Sequence, residues 1–219
     1  MGEREQLEQT IAHLETQRAT LGDGVVDVTI AALCEKLATL EPTSPPEQRK
    51  QVTILFADIS GFTPMSEKMD AEEVNDLMNA LWQRIDAAIV EHGGRIDKHI
   101  GDAVVALWGV ETARESDPES AIRAALAMQA ALAKFKADHT LKMRIGLSTG
   151  LALLGTVGTT GEFSGIGEAV DLAEQLEGAA PVGGVLISHD TYRHVRGVFD
   201  VVAQEPIQVK GKVEPVQTY

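Results

Sequence analysis

At 219 residues, with 44% hydrophobic and 24% charged side chains, the chain has room for one domain plus a short extension and enough apolar material to bury a core, which excludes wholesale disorder. Lys and Arg number 19 against 33 Asp and Glu, and the resulting net charge of -14, with no basic run to offset it, argues against nucleic acid and anionic lipid as partners. The longest nearly apolar stretch, Val25 to Cys34, is interrupted by Asp27 and falls well short of the ~20 residues a membrane helix needs, so no membrane span is expected. Met1 to Thr10 is rich in Glu and Gln and does not read as a secretory signal, while the single cysteine, Cys34, fits a reducing, cytoplasmic setting.

Leu7, Ile11, Leu14 and Leu21 share one helical stripe; after Gly22-Asp23-Gly24, Val26, Ile30, Leu33, Leu37 and Leu40 share another. Spacings of four and three predict two short amphipathic helices that pack on each other, on a partner or on their own domain. Arg18 within the first stripe argues against a long coiled coil. Glu41 to Pro46 (EPTSPP) reads as a linker, because each proline lacks a donor and restrains its predecessor. The chain thus divides into an N-terminal helical segment with linker, residues 1–47, and a main domain, residues 48–219.

Val52 to Ala57 (VTILFA) predicts a buried strand from its β-branched and aromatic content. Asp70, with Glu73 three residues on, caps a helix whose core face is Val74, Leu77, Met78, Leu81, Ile85 and Ile89, ending at His92-Gly93-Gly94. Arg95 to Ile100 and Ala103 to Trp108 read as strands joined by a hairpin turn at Gly101-Asp102. Asp117 and Pro118 open the next helix, with Ile122, Ala125, Leu126, Leu132 and Phe135 inward. Met143 to Leu147 and Leu151 to Val157 read as two strands flanking Ser148-Thr149-Gly150, and Ala169 to Leu176 as a helix. The order β-α-β-β-α-β with added elements predicts an α+β, ferredoxin-like sandwich, an antiparallel sheet with helices on one face. Sheet-type RNA-binding domains share that order, but acidity and 4% aromatics leave few bases a stacking partner.

Asp58 falls where the first strand ends, before Ile59-Ser60-Gly61-Phe62-Thr63 turns into a helix, and Asp102 sits at the tip of a hairpin from the same sheet. Two carboxylates at adjacent strand ends can converge on a hard divalent cation, and a glycine-containing turn before a helix offers N–H groups to phosphates. Equally, each residue fits a helix cap or a turn position, where Asp is common.

Four segments in order, Phe56-Ala57-Asp58-Ile59-Ser60-Gly61-Phe62-Thr63, Lys98-His99-Ile100-Gly101-Asp102, Arg144-Ile145-Gly146-Leu147-Ser148-Thr149-Gly150 and Val209-Lys210-Gly211-Lys212, resemble the catalytic domain of class III nucleotidyl cyclases. The resemblance covers Gln51 to Tyr219. It implies a head-to-tail homodimer, or a heterodimer with another cyclase domain, that converts ATP to 3′,5′-cyclic AMP and pyrophosphate at composite sites with two Mg²⁺ or Mn²⁺ ions. By that resemblance Asp58 and Asp102 hold both metals with the Ile59 carbonyl, the backbone of Gly61, Phe62 and Thr63 cradles phosphates, and Arg144 and Lys210 contact the β- and γ-phosphates. One ion would acidify the ribose 3′-hydroxyl and the other hold the triphosphate. Base selection falls on Lys98, which matches the adenine-reading position, and on Ser164, whose hydroxyl can accept from the 6-amino group. Taken singly, Lys98, Arg144 and Lys210 equally fit exposed strand charges.

The chain departs from the family on the helix after Gly167. Asp171 and Gln175 stand where cyclases present an Asn and, four residues on, an Arg that stabilises the transition state. A contribution of the arginine-finger kind is worth ~10³–10⁵ in rate. A carboxylate facing a polyphosphate costs roughly 4 kcal/mol at 4 Å in an intermediate dielectric. The implied function is an adenylate cyclase, weak as a homodimer; the alternatives are a catalytically impaired ATP- and metal-binding regulatory module or the metal-donating half of a heterodimer. A pure dimerisation scaffold fits less well, because the metal and phosphate residues are all present. The chain stops at Val216-Gln217-Thr218-Tyr219, in what reads as the last strand; because similar cyclase domains often precede ATPase and helical-repeat regions, the resemblance is compatible with a fragment of a longer protein.

Overall fold

The computed structural model describes residues 3–18, 22–39, 48–67, 69–134, 141–157 and 162–219. The chain divides into two compact units, Met1–Pro46 and Glu47–Tyr219. In the first, α1 (Glu3–Thr16) and α2 (Asp23–Thr39) pack on each other, with Val26 buried and Ile11, Leu14, Ile30 and Leu33 half-buried. Arg18 does not spoil this pairing but ties it: its guanidinium bonds Glu15 at 2.8 Å on its own side and Asp27 of α2 at 2.6 Å. Leu21, Leu40 and the Glu41 to Pro46 linker lie outside the described residues, as does the side chain of Leu37.

In the second unit the strands are β1 (Gln48–Ser60), β2 (Arg95–Ile100), β3 (Ala103–Trp108), β4 (Lys142–Val157), β5 (Glu162–Ile166) and β6 (Val185–Ile187). The sheet order is β2-β3-β1-β4-β5, with β6 on β4. β1 runs between two antiparallel neighbours and is buried continuously from Val52 to Leu55. A strand covered on both faces reads as an unbroken apolar run, which is why VTILFA is legible while its polar shoulders are not. The helices are α3 (Phe62–Ser66), α4 (Ala71–Glu91), α5 (Asp117–Ala133), α6 (Glu168–Ala179) and α7 (His189–Val195). α4 starts as predicted, the Asp70 N–H donating to Glu73 at 3.3 Å, and buries Leu81, Ile85 and Ile89.

Three expectations need correction. First, Ser148-Thr149-Gly150 does not separate two strands: β4 is continuous, and Thr149 pairs in register with Thr53. Their hydroxyls bond at 3.0 Å, and Thr149 bonds Thr191 at 3.0 Å, so the buried polar side chains are satisfied inside the strand. Second, Leu126 is 50% exposed. The buried stripe of α5 runs through Ala121, Ala124, Ala125, Met128 and Leu132, and Leu126 stands about 100° round from Ala125. Phe135 lies outside the described residues. Third, helices occupy both faces. α4 and α5 cover Leu55, Ala57, Val104, Ala106, Trp108, Ile145 and Leu147, whereas Ala169 and Ala173 of α6 pack on the other face with Val52, Ile54, Val105 and Leu107. Gly146 makes that possible, because a Cβ there would collide with the backbone of α6 at Ala173 and Glu177. Among the added elements, β6 runs parallel to β4, while the core strands are antiparallel.

The second half of β4 also packs Ala152 and Leu154 on that second face and leads into β5. This arm curls back far enough for Ser164 of β5 to hydrogen-bond Lys98 of β2, although the two strands stand at opposite ends of the sheet order.

Candidate active site

Asp58, near the end of β1, pairs in register with Ala103 of β3 and Arg144 of β4. The Ile59 N–H donates to the Asp102 carbonyl at 3.2 Å, which ties the end of β1 to the tip of the β2–β3 hairpin. That turn needs Gly101 at φ 63°. Two strand ends are thereby pinned together with a carboxylate on each. The Arg144 guanidinium, cross-strand from Asp58, donates to it at 3.1 Å. On its other side it lies 3.3 Å from Glu177 of α6, with Arg144 Nε and Glu177 Oε1 buried and out of hydrogen-bonding alignment.

The electrostatics of this cluster are those of an anion excess. Burial pushes the Asp102 carboxyl up, its own backbone amide partly opposing and the Asp58 charge adding to the rise. Burial likewise pushes Glu177 up; Arg144 opposes it, and Asp58, Glu174 and Asp102 add to it. Three neighbouring carboxylates with one guanidinium, which contacts Asp58 and Glu177, favour a further cation, and oxygen donors suit Mg²⁺ or Mn²⁺. Among the described residues no three potential ligands converge on one point. Mg²⁺ takes one or two carboxylates and completes its octahedron with water and phosphate oxygens. The donor set of Asp58, Asp102 and the Ile59 carbonyl therefore fits the metals that the sequence implies.

Beyond Ser60 the chain turns at Gly61, φ 85°, into α3, which starts at Phe62. The positive φ is the reason for glycine here. The side chain of Thr63 lies outside the described residues.

A second group forms at the β5 arm. Lys98 Nζ donates to Ser164 Oγ at 3.0 Å, and Ser164 Oγ donates to Asp97 Oδ2 at 2.9 Å. The expected base-reading pair thus meets within one chain, together with an aspartate that sequence reasoning did not single out. Glu177 was missed as well. Its signal was its place on α6, six residues after Asp171, but only the fold brings it against Arg144.

A third group joins α6 to the C-terminal segment. Asp171 is exposed, and Gln175, half-buried, donates to the Asp171 carbonyl at 3.2 Å. The Gln175 side-chain oxygen accepts the Lys210 N–H at 2.6 Å. The side chain at the position expected to carry an arginine therefore holds the Lys210 turn onto the helix. Among the described residues no hydrogen bond or ion pair links one of the three groups to another within the chain.

The comparisons agree with this fold. Residues 44–219 match the family model of the adenylate and guanylate cyclase catalytic domain, and the chain belongs to that family. An adenylate cyclase of Anabaena cylindrica is 34% identical over 187 residues, which cover 78% of this chain and 36% of that protein. The chain therefore spans little more than a third of that relative's length. Among solved structures, the adenylyl cyclase CyaB from P. aeruginosa superposes with a TM-score of 0.75 at 33% identity, covering 80% of this chain and 95% of that one. The guanylate cyclase domain of RhGC from Catenaria anguillulae, solved with GTP, gives 0.74 at 28% identity, covering 78% and 96%. The relatives thus include both adenylate and guanylate cyclases.

Proposed function

We propose that residues 48–219 form an adenylate cyclase domain that makes 3′,5′-cyclic AMP and pyrophosphate from ATP in a head-to-tail dimer, with weak activity as a homodimer. The observation that supports ATP over GTP is the contact of Lys98 of β2 with Ser164 of β5, a donor and an acceptor side by side. Asp58, Asp102 and the Ile59 carbonyl would hold two Mg²⁺ or Mn²⁺ ions. When bound, these supply the acidification of the ribose 3′-hydroxyl and the neutralisation of the triphosphate.

The chain's own residues do the positioning. Arg144 and Lys210 orient the β- and γ-phosphates, and the N–H groups of Gly61, Phe62 and Thr63 face the chain of phosphates. Arg144, bonded to Asp58 at 3.1 Å and 3.3 Å from Glu177, would be free to turn toward phosphate if a metal ion took up the Asp58 carboxylate. Lys98 and Ser164 hold the adenine. Asp171 and Gln175 occupy the ribose and transition-state positions without supplying a positive charge, which is the ground for expecting slow turnover.

A second reading, a regulatory module or metal-donating half of a heterodimer, is favoured by one observation: Gln175 is engaged with the Lys210 backbone. The setting that supplies ATP to such a domain is the cytoplasm. Among the described residues no helix is long and apolar enough to cross a membrane. Measuring cyclic nucleotide formation from ATP and from GTP, with Mg²⁺ and with Mn²⁺, tests the assignment. Metal-dependent cyclic AMP formation supports it, and formation of cyclic GMP alone overturns it.

A further inference from the structure

We propose that Asp97 sets base selection by fixing the Ser164 hydroxyl as an acceptor; this rests on the adenylate cyclase reading of the same site.

The starting point is a bulge in an edge strand. In the β2–β3 ladder Ile96 pairs with Ala106 and Lys98 pairs with Val105, so Asp97 is the extra residue. In a regular strand consecutive side chains point to opposite faces, and Asp97 and Lys98 could not both reach one atom. A bulge re-aims one of them, and here both side chains reach Ser164. The Asp97 side chain is only 3% exposed and lies 3.5 Å from Lys98 Nζ.

The donor and acceptor inventory then determines what Ser164 can offer. A serine hydroxyl has one proton and two lone pairs. A carboxylate only accepts, so the bond between Ser164 and Asp97 must use the hydroxyl proton. An ammonium only donates, so the bond from Lys98 uses one lone pair. One lone pair remains. Serine by itself would be ambivalent, able to turn its proton toward a purine or away; held by Asp97 it can only accept. Lys98 retains N–H groups to donate beside it.

Adenine presents a 6-amino donor next to the N1 acceptor, which complements an acceptor beside a donor. Guanine presents the O6 acceptor next to an N1 donor and is mismatched at both points. A site whose polar groups would be left unpaired by the wrong base can discriminate strongly. Asp97 is thus a positioning residue for specificity, acting through Ser164 without touching the base. It gives a neutral serine the fixed acceptor character that a carboxylate would have unaided.

The test is equilibrium binding of non-cyclisable ATP and GTP analogues to the full chain with Mg²⁺, read as the ratio of the two affinities, with folding verified by thermal unfolding. Asp97→Ala frees the hydroxyl to rotate and donate to O6, and should lower the ATP-to-GTP ratio by roughly tenfold, the size of one re-made hydrogen bond. Asp97→Asn, nearly isosteric, offers a donor as well as an acceptor and should lower the ratio by a smaller factor, which serves if the alanine variant folds poorly. In a Ser164→Ala background, which has no hydroxyl to orient, adding Asp97→Ala should leave the ratio where it is. An unchanged ratio in a folded Asp97→Asn or Asp97→Ala variant, or an equal shift with and without the Ser164 hydroxyl, overturns the proposal. If the native chain itself does not prefer the ATP analogue, the adenylate cyclase reading fails first. If it does and the variants keep that preference, the role of Asp97 alone is wrong.

Discussion

Restoring an arginine at position 175 has a cost as well as a gain, and the structure allows both to be sized. The gain is a positive charge facing the transition state, worth ~10³–10⁵ in rate, or about 4–7 kcal/mol. The cost is the bond in which the Gln175 side chain accepts the Lys210 N–H at 2.6 Å, because an arginine side chain only donates. Losing one such exposed bond costs about 0.5–1.5 kcal/mol, which loosens the Lys210 turn by up to about tenfold. The gain wins by a wide margin. Mixing native chain with the triple variant Asp58→Ala, Asp171→Asn, Gln175→Arg should therefore create one complete site per heterodimer and raise cyclic AMP formation well above either homodimer. The assay is initial rate against mixing ratio, with subunit exchange followed independently. A flat rate for well-folded chains that do exchange would refute the account of the deficiency.

Three other outcomes are expected. Asp58→Ala and Asp102→Ala should each abolish the Mg²⁺-dependent part of the affinity for an unreactive ATP analogue in calorimetry, since two ions on one carboxylate leave the phosphates unneutralised; unchanged metal-dependent affinity would contradict the metal assignment. Gly146→Ala should destabilise the fold by about 1–3 kcal/mol, because the new Cβ meets the backbone of α6 and not a movable side chain, and an unshifted unfolding midpoint would remove the argument for direct helix-on-strand contact. Burial raises the Glu177 carboxyl above its ordinary value of 4.5, so the folded chain binds that proton more tightly than the unfolded one and loses stability as pH climbs from the ordinary carboxylate range through the raised value. Glu177→Gln should flatten that part of the stability profile, and an identical slope in the variant would speak against it.

The parts of the molecule legible in the sequence are those where local pattern and tertiary environment ask for the same residues. VTILFA is apolar because β1 is covered on both faces, and the amphipathic face of α4 is visible because only one side of it is wet. Ser148-Thr149-Gly150 misleads because its hydroxyls are satisfied by Thr53 and Thr191, residues distant in sequence. The second helical face is hidden for a related reason: one missing side chain, Gly146, admits α6. Asp58, Asp102, Arg144 and Lys98 are expected from motif order and Ser164 from the family resemblance alone, and the fold brings the first three into one cluster and the last two into another. Asp97 and Glu177 act through partners that only the bulge and the α6 packing deliver, and no periodicity announces either. Gln175 reads as a lost arginine, whereas its bond to Lys210 belongs to the folded chain alone.

The most direct test of the central claim is the identity and rate of the cyclic nucleotide made by the native chain, from ATP and from GTP, over a range of protein concentrations with Mg²⁺ and with Mn²⁺. Slow, metal-dependent cyclic AMP formation is the result the account predicts, with specific activity rising as chains pair and vanishing in Asp58→Ala. Predominant cyclic GMP, activity that survives Asp58→Ala, or homodimer turnover on the order of tens per second, the range of efficient phosphoryl-transfer enzymes, would contradict it.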